Sequence, residues 1–232
     1  MENKFLKKLF FNTNALKLAL ENNNNDIFDY LLQQPDIEIG DSCFESCKKL
    51  TKICIPSSVT SIGKNAFCYC DNLTEITIPS SVTKIGDNAF HSCTSLKELI
   101  IPSSVTSIGD CFVSDCSKLS KIMIPMNIEN IGKLDFCSLS LIEFTIPSSV
   151  TVINAKAFSH CLSLTKIEIP SSVTRIEERA FFDCKSLKEI VIPSSVTFIG
   201  VEAFGKCISL TNVFIPSTIK SIEFNALKNA YL

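Results

Sequence analysis

Hydrophobic and polar residues recur along this chain with a period of 23 residues. Around each unit runs a version of I-P-S-S-V-T-x-I-G-x-x-A-F-x-x-C-x-x-L-x-x-I-x. The prolines that mark the period are spaced 23 residues apart, except for one interval of 22, and are Pro56, Pro79, Pro102, Pro125, Pro147, Pro170, Pro193 and Pro216. A fixed period of this length predicts a solenoid in which each unit buries its apolar side chains against the next.

Each unit contains two short extended segments. Residues 75–78 alternate polar and apolar side chains, which predicts a strand that ends at Pro79 because proline has no N–H to donate. Residues 82–85 predict a second extended segment, after which we expect Gly86 to supply a positive φ. A single helical or 3-10 turn is expected at residues 88–90. The side chains predicted to point inward are Leu73, Ile76, Ile78, Val82, Ile85, Ala89, Phe90 and Cys93.

Two departures from the repeat predict local irregularity. The fourth unit, residues 125–146, is one residue short between Phe136 and Leu141, so we expect a kink or a change of twist there. The turn is also expected to differ where another residue replaces the glycine, because glutamate adopts positive φ poorly. These replacements are Asn154, Glu177 and Glu223.

The segment L-x-x-I-x-I that begins at Leu73 fits the L-x-x-L-x-L core of leucine-rich repeats. The whole unit resembles the 23-residue BspA-like (Treponema pallidum-type) leucine-rich repeat, and the resemblance extends from Ile39 to the C-terminus. It implies a right-handed repeat solenoid with a parallel β-sheet on the concave face and short extended or 3-10 segments on the convex face. The family includes protein-binding modules and surface adhesins of bacteria and parasitic protists.

The N-terminal residues differ from the repeats. Residues 14–22 and 26–33 predict a helical hairpin that resembles the helix pair of one ankyrin repeat. We therefore divide the chain into a small α-helical cap, residues 1–38, and about eight leucine-rich repeats, residues 39–232. The cap is expected to cover the first core residues, and the alternative is that the hairpin is a separate binding element.

Composition narrows the classes of partner and the compartment. The net charge is −2, so no basic face is expected and no nucleic-acid partner is predicted. No apolar stretch approaches about 18 residues, so membrane insertion is not expected either. The N-terminus does not resemble a secretory signal, which favours a cytoplasmic protein with twelve cysteines as thiols. The alternative location is the cell surface, reached by a non-classical route.

The cysteines recur at one repeat position and predict an inward column of small apolar side chains. Neighbouring units would bring their Cα atoms within disulfide range, but every unit presents the same inward direction, which disfavours disulfides. Clustered metal-ligand spacing is lacking, so no metal is predicted. Cys54 points outward, where it is either reactive or exposed by chance. The column comprises Cys47, Cys70, Cys93, Cys116, Cys161, Cys184 and Cys207.

Candidate catalytic residues do not combine into a site. His91 and His160 each lie near a cysteine, but an inward thiol cannot form a nucleophile pair with a histidine that we expect to be solvated. The strand carboxylates are expected to be solvated or paired. We therefore predict no enzyme, no catalytic residue and no cofactor. These carboxylates are Glu75, Glu98, Glu143, Glu168 and Glu189.

The outward position at the centre of each I-x-I segment forms an unusual column. The eight residues of this column are Cys54, Thr77, Ile100, Met123, Thr145, Glu168, Val191 and Phe214. Five of them are apolar, if cysteine is counted as apolar. Two positions earlier lies a mostly charged column: Lys52, Glu75, Glu98, Lys121, Glu143, Lys166, Glu189 and Asn212. An apolar stripe beside mixed charges predicts a protein interface, although β-branched and apolar residues also simply suit strands. The predicted partner-binding residues are Ile100, Met123, Val191, Phe214, Glu98, Lys121, Lys166 and Glu189.

These features predict a non-enzymatic scaffold that binds a protein partner on its concave face. A cell-surface adhesin of the BspA-like type is the first alternative. The second is a self-assembling structural protein, because residues 212–215 are expected to form an uncovered parallel edge, and such edges tend to pair. Either the tail, residues 220–232, folds over this C-terminal edge, or a homodimer or higher oligomer forms through it.

Overall fold

The computed structural model describes residues 37–228 as a parallel β-solenoid. The predicted helical hairpin, residues 14–33, lies outside the described residues. The seventeen strands are β1 Ile37–Ile39, β2 Lys52–Cys54, β3 Val59–Ile62, β4 Glu75–Thr77, β5 Lys84–Ile85, β6 Glu98–Ile100, β7 Ser107–Ile108, β8 Lys121–Met123, β9 Asn130–Ile131, β10 Glu143–Thr145, β11 Val152–Ile153, β12 Lys166–Glu168, β13 Arg175–Ile176, β14 Glu189–Val191, β15 Phe198–Ile199, β16 Asn212–Phe214 and β17 Ser221–Ile222.

The strands form two columns that run along the solenoid. The even-numbered strands are the I-x-I segments, which we call ladder A, and the odd-numbered strands are the V-T-x-I segments, which we call ladder B. Most pairs are in register between equivalent positions of consecutive units, as in Ile53 beside Ile76 and Ile85 beside Ile108. The predicted repeat solenoid with its two kinds of extended segment is confirmed.

The predicted inward side chains form one continuous core. Leu73, Val82 and Phe90 are fully buried, and Ile76 packs against the core while partly exposed. Rings of successive units stack in parallel, as with Phe67 on Phe90, whose centroids lie 5.5 Å apart. Each unit therefore covers the apolar surface of the unit before it, which is the stabilisation that a single unit lacks.

The first described unit is buried as well. Phe44 and Leu50, which the predicted cap is expected to cover, have relative exposures of 0% and 6%. Phe44 stacks on Phe67 with a centroid distance of 5.1 Å. The solvent-excluded core therefore includes the first described turn.

The turns between the ladders differ from the prediction. Residues 88–90 form tight turns instead of a helical or 3-10 turn. None of the glycines within residues 37–228 has a positive φ, so the expectation for Gly86 is wrong. The left-handed conformation falls on Asn88 and Ser92, at φ of 51° and 56°. Equivalent residues of the other units, which we also call rungs, repeat this pattern. It holds even in the rungs that lack the glycine, where Lys156, Arg179 and Asn225 have φ of 62°, 54° and 57°.

The glycine column has a different physical reason. A Cβ on Gly86 would lie 2.6 Å from the carbonyl carbon of Gly63 and from the amide nitrogen of Lys64. The Gly86 amide donates a hydrogen bond of 2.8 Å to the Ile62 carbonyl, which holds the two backbones this close. Glycine at position 86 therefore avoids a clash with the closely packed neighbouring unit.

Both ladders are interrupted at the fourth unit. This interruption is the local irregularity that the missing residue predicts. Ladder B divides into two sheets, β1-β3-β5-β7-β9 and β11-β13-β15-β17. Ladder A pairs in twos, so β8 and β10 do not pair in the described sheets, and only here do the two breaks coincide. In neighbouring units the second serine of the repeat donates to a valine carbonyl, as Ser172 does to Val150 at 2.7 Å. The buried hydroxyl of Ser149 lacks such a partner among residues 37–228.

Candidate protein-binding face

The predicted apolar stripe lies on the outward side of ladder A. Alternation along β6, β8 and β14 buries the central residue and exposes the two that flank it, and in β4 and β16 the central residue is half-buried. Ile100, Met123, Val191 and Phe214 have relative exposures of 50%, 52%, 61% and 61%. We call this surface the ladder A face, defined by the outward residues of the even-numbered strands.

Most of the predicted charged residues on this face are paired with one another. Lys121 Nζ lies 2.5 Å from Glu98 Oε1, and Lys166 Nζ lies 3.0 Å from Glu168 Oε1. The hydrogen bond to Glu168 raises the pKa of Lys166. These pairs are solvent-exposed, so they fix side-chain positions and add little to stability. Glu189 makes no ion pair within the described residues.

A groove of about 710 Å³ opens on the ladder A face at the fourth unit. It lies between β8 and β10, and we call it the junction groove. Its lining includes Met123, Met126, Ile142, Lys121, Glu143 and Lys166. Met126 and Ile142 are 50% and 56% exposed. The structure thus adds two exposed apolar side chains to Met123.

The sequence interpretation missed Met126 and Ile142, although a signal for them exists. The first serine of the P-S-S segment is serine in every other unit, and Met126 replaces it. The residue that precedes the charged column is threonine, lysine or serine in every other unit, and Ile142 replaces it. Comparison of every repeat position, instead of the strand positions alone, would have found both.

The cysteine column is buried, which confirms its prediction as an inward column of small apolar side chains. All twelve cysteines are free, and every member of the column has a relative exposure of 6% or less. The thiol of each later member donates to the carbonyl of a phenylalanine in the preceding unit, as Cys70 does to Phe44 at 3.0 Å. Burial raises the pKa of Cys70 and Cys161 to about 12. These thiols are therefore neutral at physiological pH and carry no nucleophile.

Cys54 and the two histidines complete the candidate reactive groups. Cys54 is exposed, as predicted. His160 is exposed, and its Nδ1 lies 3.2 Å from Asp183 Oδ2. The expectation of a solvated histidine is wrong for His91, because its side chain is 22% exposed and it packs edge-on against Tyr69. Neither histidine is paired with a cysteine within the described structure.

Metal ligands and membrane-spanning helices are two further kinds of functional feature that such a chain could contain. Between residues 37 and 228, no three histidine, cysteine, aspartate or glutamate side chains are grouped as a metal would need. The same residues include no helix of the length and apolarity that a bilayer crossing requires.

Known structures share this fold. A leucine-rich repeat protein of T. pallidum is 26% identical, with a TM-score of 0.57, over 77% of this chain and 73% of that one. A leucine-rich repeat protein of Eubacterium ventriosum is 31% identical, with a TM-score of 0.50, over 83% of this chain and 61% of that one. A leucine-rich cell surface protein of Faecalibacterium prausnitzii is 25% identical, with a TM-score of 0.35, over 84% and 80% of the two chains.

The family model that matches is the BspA type leucine-rich repeat region, in six copies. The match covers residues 37–164 and 151–232. Among curated proteins, none matches this chain. Because the family model covers the whole repeat region, the chain belongs to the BspA-type leucine-rich repeat family.

Proposed function

We propose that this protein is a non-enzymatic scaffold that binds a partner protein on the ladder A face. The observation that carries the proposal is the column of large apolar side chains, Ile100, Met123, Val191 and Phe214, each at least half exposed. They form two adjacent pairs, Ile100 beside Met123 and Val191 beside Phe214, with Thr145 and Glu168 between the pairs. Exposed apolar side chains bordered by charges are typical of protein interfaces. The family supports an interaction or surface role in the same way.

Strand propensity alone does not account for this column. Thr77 and Thr145 occupy the same outward position in other units, and threonine suits a strand as well as isoleucine or valine does. The fold therefore tolerates a polar β-branched residue at this position. Apolar residues at four other units need another reason, and a partner that covers them supplies one.

The charged column sets the direction in which a partner can lie. Glu98 and Lys121 are bonded to each other, whereas Lys166 is held by Glu168 and Glu189 is left unpaired. A partner that matches this order of charges would be favoured in one register and opposed in the reverse one. Under the proposal these residues contribute specificity, and the apolar column contributes most of the affinity.

Substitution to the threonine of other units tests the proposal. Ile100→Thr/Val191→Thr/Phe214→Thr and wild type would each be used to capture proteins from an extract of the source cells. Partners identified by mass spectrometry should be lost with the variant. Phe198→Ser on ladder B is the matched control, because Ser61, Ser107 and Ser221 occupy its position in other units. The same partners on wild type and on the triple variant would refute the proposal.

The compartment belongs to the proposal as well. We infer a cytoplasmic protein, because twelve unpaired cysteines suit a reducing environment. An adhesin at the cell surface is the alternative, and fractionation of source cells with an antibody to this protein distinguishes the two.

Self-assembly is the second candidate function. Ile222 on β17 is 46% exposed, whereas the equivalent Ile199 on β15 is fully buried. Ile215 is 39% exposed, against 3% for the equivalent Ile192. The last described rung therefore presents core positions to solvent, and a second copy of the chain could cover them through its own C-terminal edge.

A further inference from the structure

The junction groove has an apolar lining that the repeat does not explain. Met123, Met126 and Ile142 are each at least half exposed, and all three line this groove. Met126 and Ile142 stand at positions that are polar in every other unit. Serine or threonine at the Ile142 position donates to a carbonyl of the preceding unit, as Thr74 and Thr165 do at 2.9 and 3.0 Å. Ile142 gives up such a bond, and both replacements leave apolar surface in water.

The location of the replacements is informative. Both lie at the one place where ladder A and ladder B are interrupted together. A regular stack presents a flat row of strands, whereas the missing residue of the fourth unit opens a concavity between β8 and β10. Concave apolar surface with a few polar groups is the ordinary form of a binding site. Two separate departures from the repeat therefore occur at the same unit: one residue is missing, and two positions that are otherwise polar are apolar.

Charge identifies what the groove would accept. The two ammonium groups of its lining are satisfied, because Lys121 is held by Glu98 and Lys166 by Glu168. Glu143 is the carboxylate of this lining that has no ion pair among the described residues, and it is exposed. Lys166 lies opposite Glu143 in the β10–β12 pair but is bonded to Glu168, so Glu143 has no cation in direct contact. A cation from outside the chain can pair with this exposed carboxylate, whereas an anion would be repelled by it.

We propose that the junction groove anchors one linear segment of the partner protein, in which a large apolar side chain lies next to an arginine or a lysine. The apolar side chain packs against Met123, Met126 and Ile142, and the cation pairs with Glu143. The volume of about 710 Å³ falls within the range of ligand pockets, roughly 300–1,000 Å³, so it suits a few residues of a segment. The proposal rests on the proposed function and names the partner's chemistry at one position of the ladder A face.

Random linear peptides displayed on phage are the probe, selected against the full 232-residue chain. Selected peptides should be enriched in a large apolar residue beside arginine or lysine. Met126→Ser/Ile142→Thr gives the groove the residues of other units, so the fold is expected to be retained, and circular dichroism checks it. Binding of the selected peptides to this variant should fall about tenfold or more, the loss of about 1.4 kcal/mol.

A charge variant tests the second half of the proposal. Glu143→Lys should reverse the selection, so that peptides with an acidic residue beside the apolar one are enriched. Peptides with no preference for basic residues, or equal binding to wild type and to Met126→Ser/Ile142→Thr, would overturn the inference. A selection that yields no binding peptide would overturn it too, because a linear segment is proposed to be sufficient.

The outcomes distinguish this inference from the function on which it rests. Peptides that lose binding with Ile100→Thr/Val191→Thr/Phe214→Thr but keep it with Met126→Ser/Ile142→Thr would leave the ladder A face as the interface and refute the groove. Loss in the groove variant alone would support the anchor. Retention in both variants would count against the face and the groove together.

Discussion

The spacing between rungs decides which side chains the glycine column admits. At Gly86 a methyl group would meet backbone atoms of the preceding unit at 2.6 Å, and backbone cannot move aside as the end of a side chain can. Asn154, Glu177 and Glu223 carry a Cβ at the same position in the second half, and Glu177 and Glu223 still donate to the preceding unit at 2.9 Å. We therefore expect overpacking at Gly86 to be costly and not fatal.

We predict that Gly86→Ala lowers the free energy of unfolding by about 1–3 kcal/mol, the usual cost of overpacking. Urea denaturation followed by circular dichroism measures the change. Gly205→Ala is the control, since the nearest atoms to its added methyl would be the Phe182 and Glu202 side chains, at 3.0 and 3.1 Å. An equal cost for the two variants would show that loss of glycine, and not the approach of the rungs, is responsible.

Side-chain direction could be predicted from the sequence, whereas the turn conformation could not. The alternation of Ile76 and Ile78 with Glu75 and Thr77 is enough to predict which residues face the core. Asn88 and Ser92 carry positive φ because stacked rungs impose the same turn on every unit, whatever residue stands there. That constraint comes from hydrogen bonds between units, such as Asn65 N–H to the Asp87 carbonyl at 2.8 Å.

The cysteine column acts as one element across the units. Each thiol donates to a phenylalanine carbonyl of the unit before it, with sulfur to oxygen distances of 3.1 Å for Cys184 and Cys207. Burial is the main reason that the pKa of Cys70 and Cys161 rises to about 12, and Cys184 is shifted in the same direction by its bond with Cys207 and by burial. The folded chain therefore keeps protons that the unfolded chain releases.

This column predicts loss of stability in alkali. An unfolded cysteine titrates near pH 8.5, so stability should be unaffected below that pH and should fall as the pH rises towards 12. Each such thiol contributes a slope of about 1.4 kcal/mol per pH unit within this window. Urea denaturation at a series of pH values gives the slope.

Lysine and tyrosine also titrate in this range, so the comparison must be made with a variant. Cys70→Ala/Cys161→Ala lacks two of the thiols and should show a shallower decline than wild type. Parallel declines in the two proteins would contradict a role for the column.

The junction groove shows the limit of the sequence argument at the scale of elements. The 22-residue interval predicted an irregularity between Phe136 and Leu141. The interval did not predict that β8 and β10 would be unpaired and separated by a groove, because strand pairing depends on contacts between units. Strand position alone predicts Met123, Lys121 and Lys166 as site residues, whereas it does not predict Met126 and Ile142.

The two ends of the described solenoid differ in how their core is covered. Phe44, in its first unit, is fully buried, whereas Ile215 and Ile222 of the last rung are exposed. Lys220 and Glu223 are exposed beside them.

We predict that the 232-residue chain self-associates through this rung. Light scattering after size exclusion should give a mass that rises with concentration. Ile215→Asp/Ile222→Asp should give a monomer at every concentration, because a buried unpaired carboxylate opposes contact. Val191→Asp, an exposed position of the ladder A face, should leave the mass unchanged, and loss of association in that variant instead would place the contact on the face.

The coincident break of the two ladders also affects how such a chain can change in length. In a repeat array each unit contacts only its neighbours, so units can be gained or lost on either side of the fourth unit without disturbing Met126 or Ile142. Under our proposal, the number of units then determines the length of the molecule, and the junction groove alone determines which segment is bound. Relatives with longer or shorter arrays could keep one specificity while presenting it at different distances from their ends.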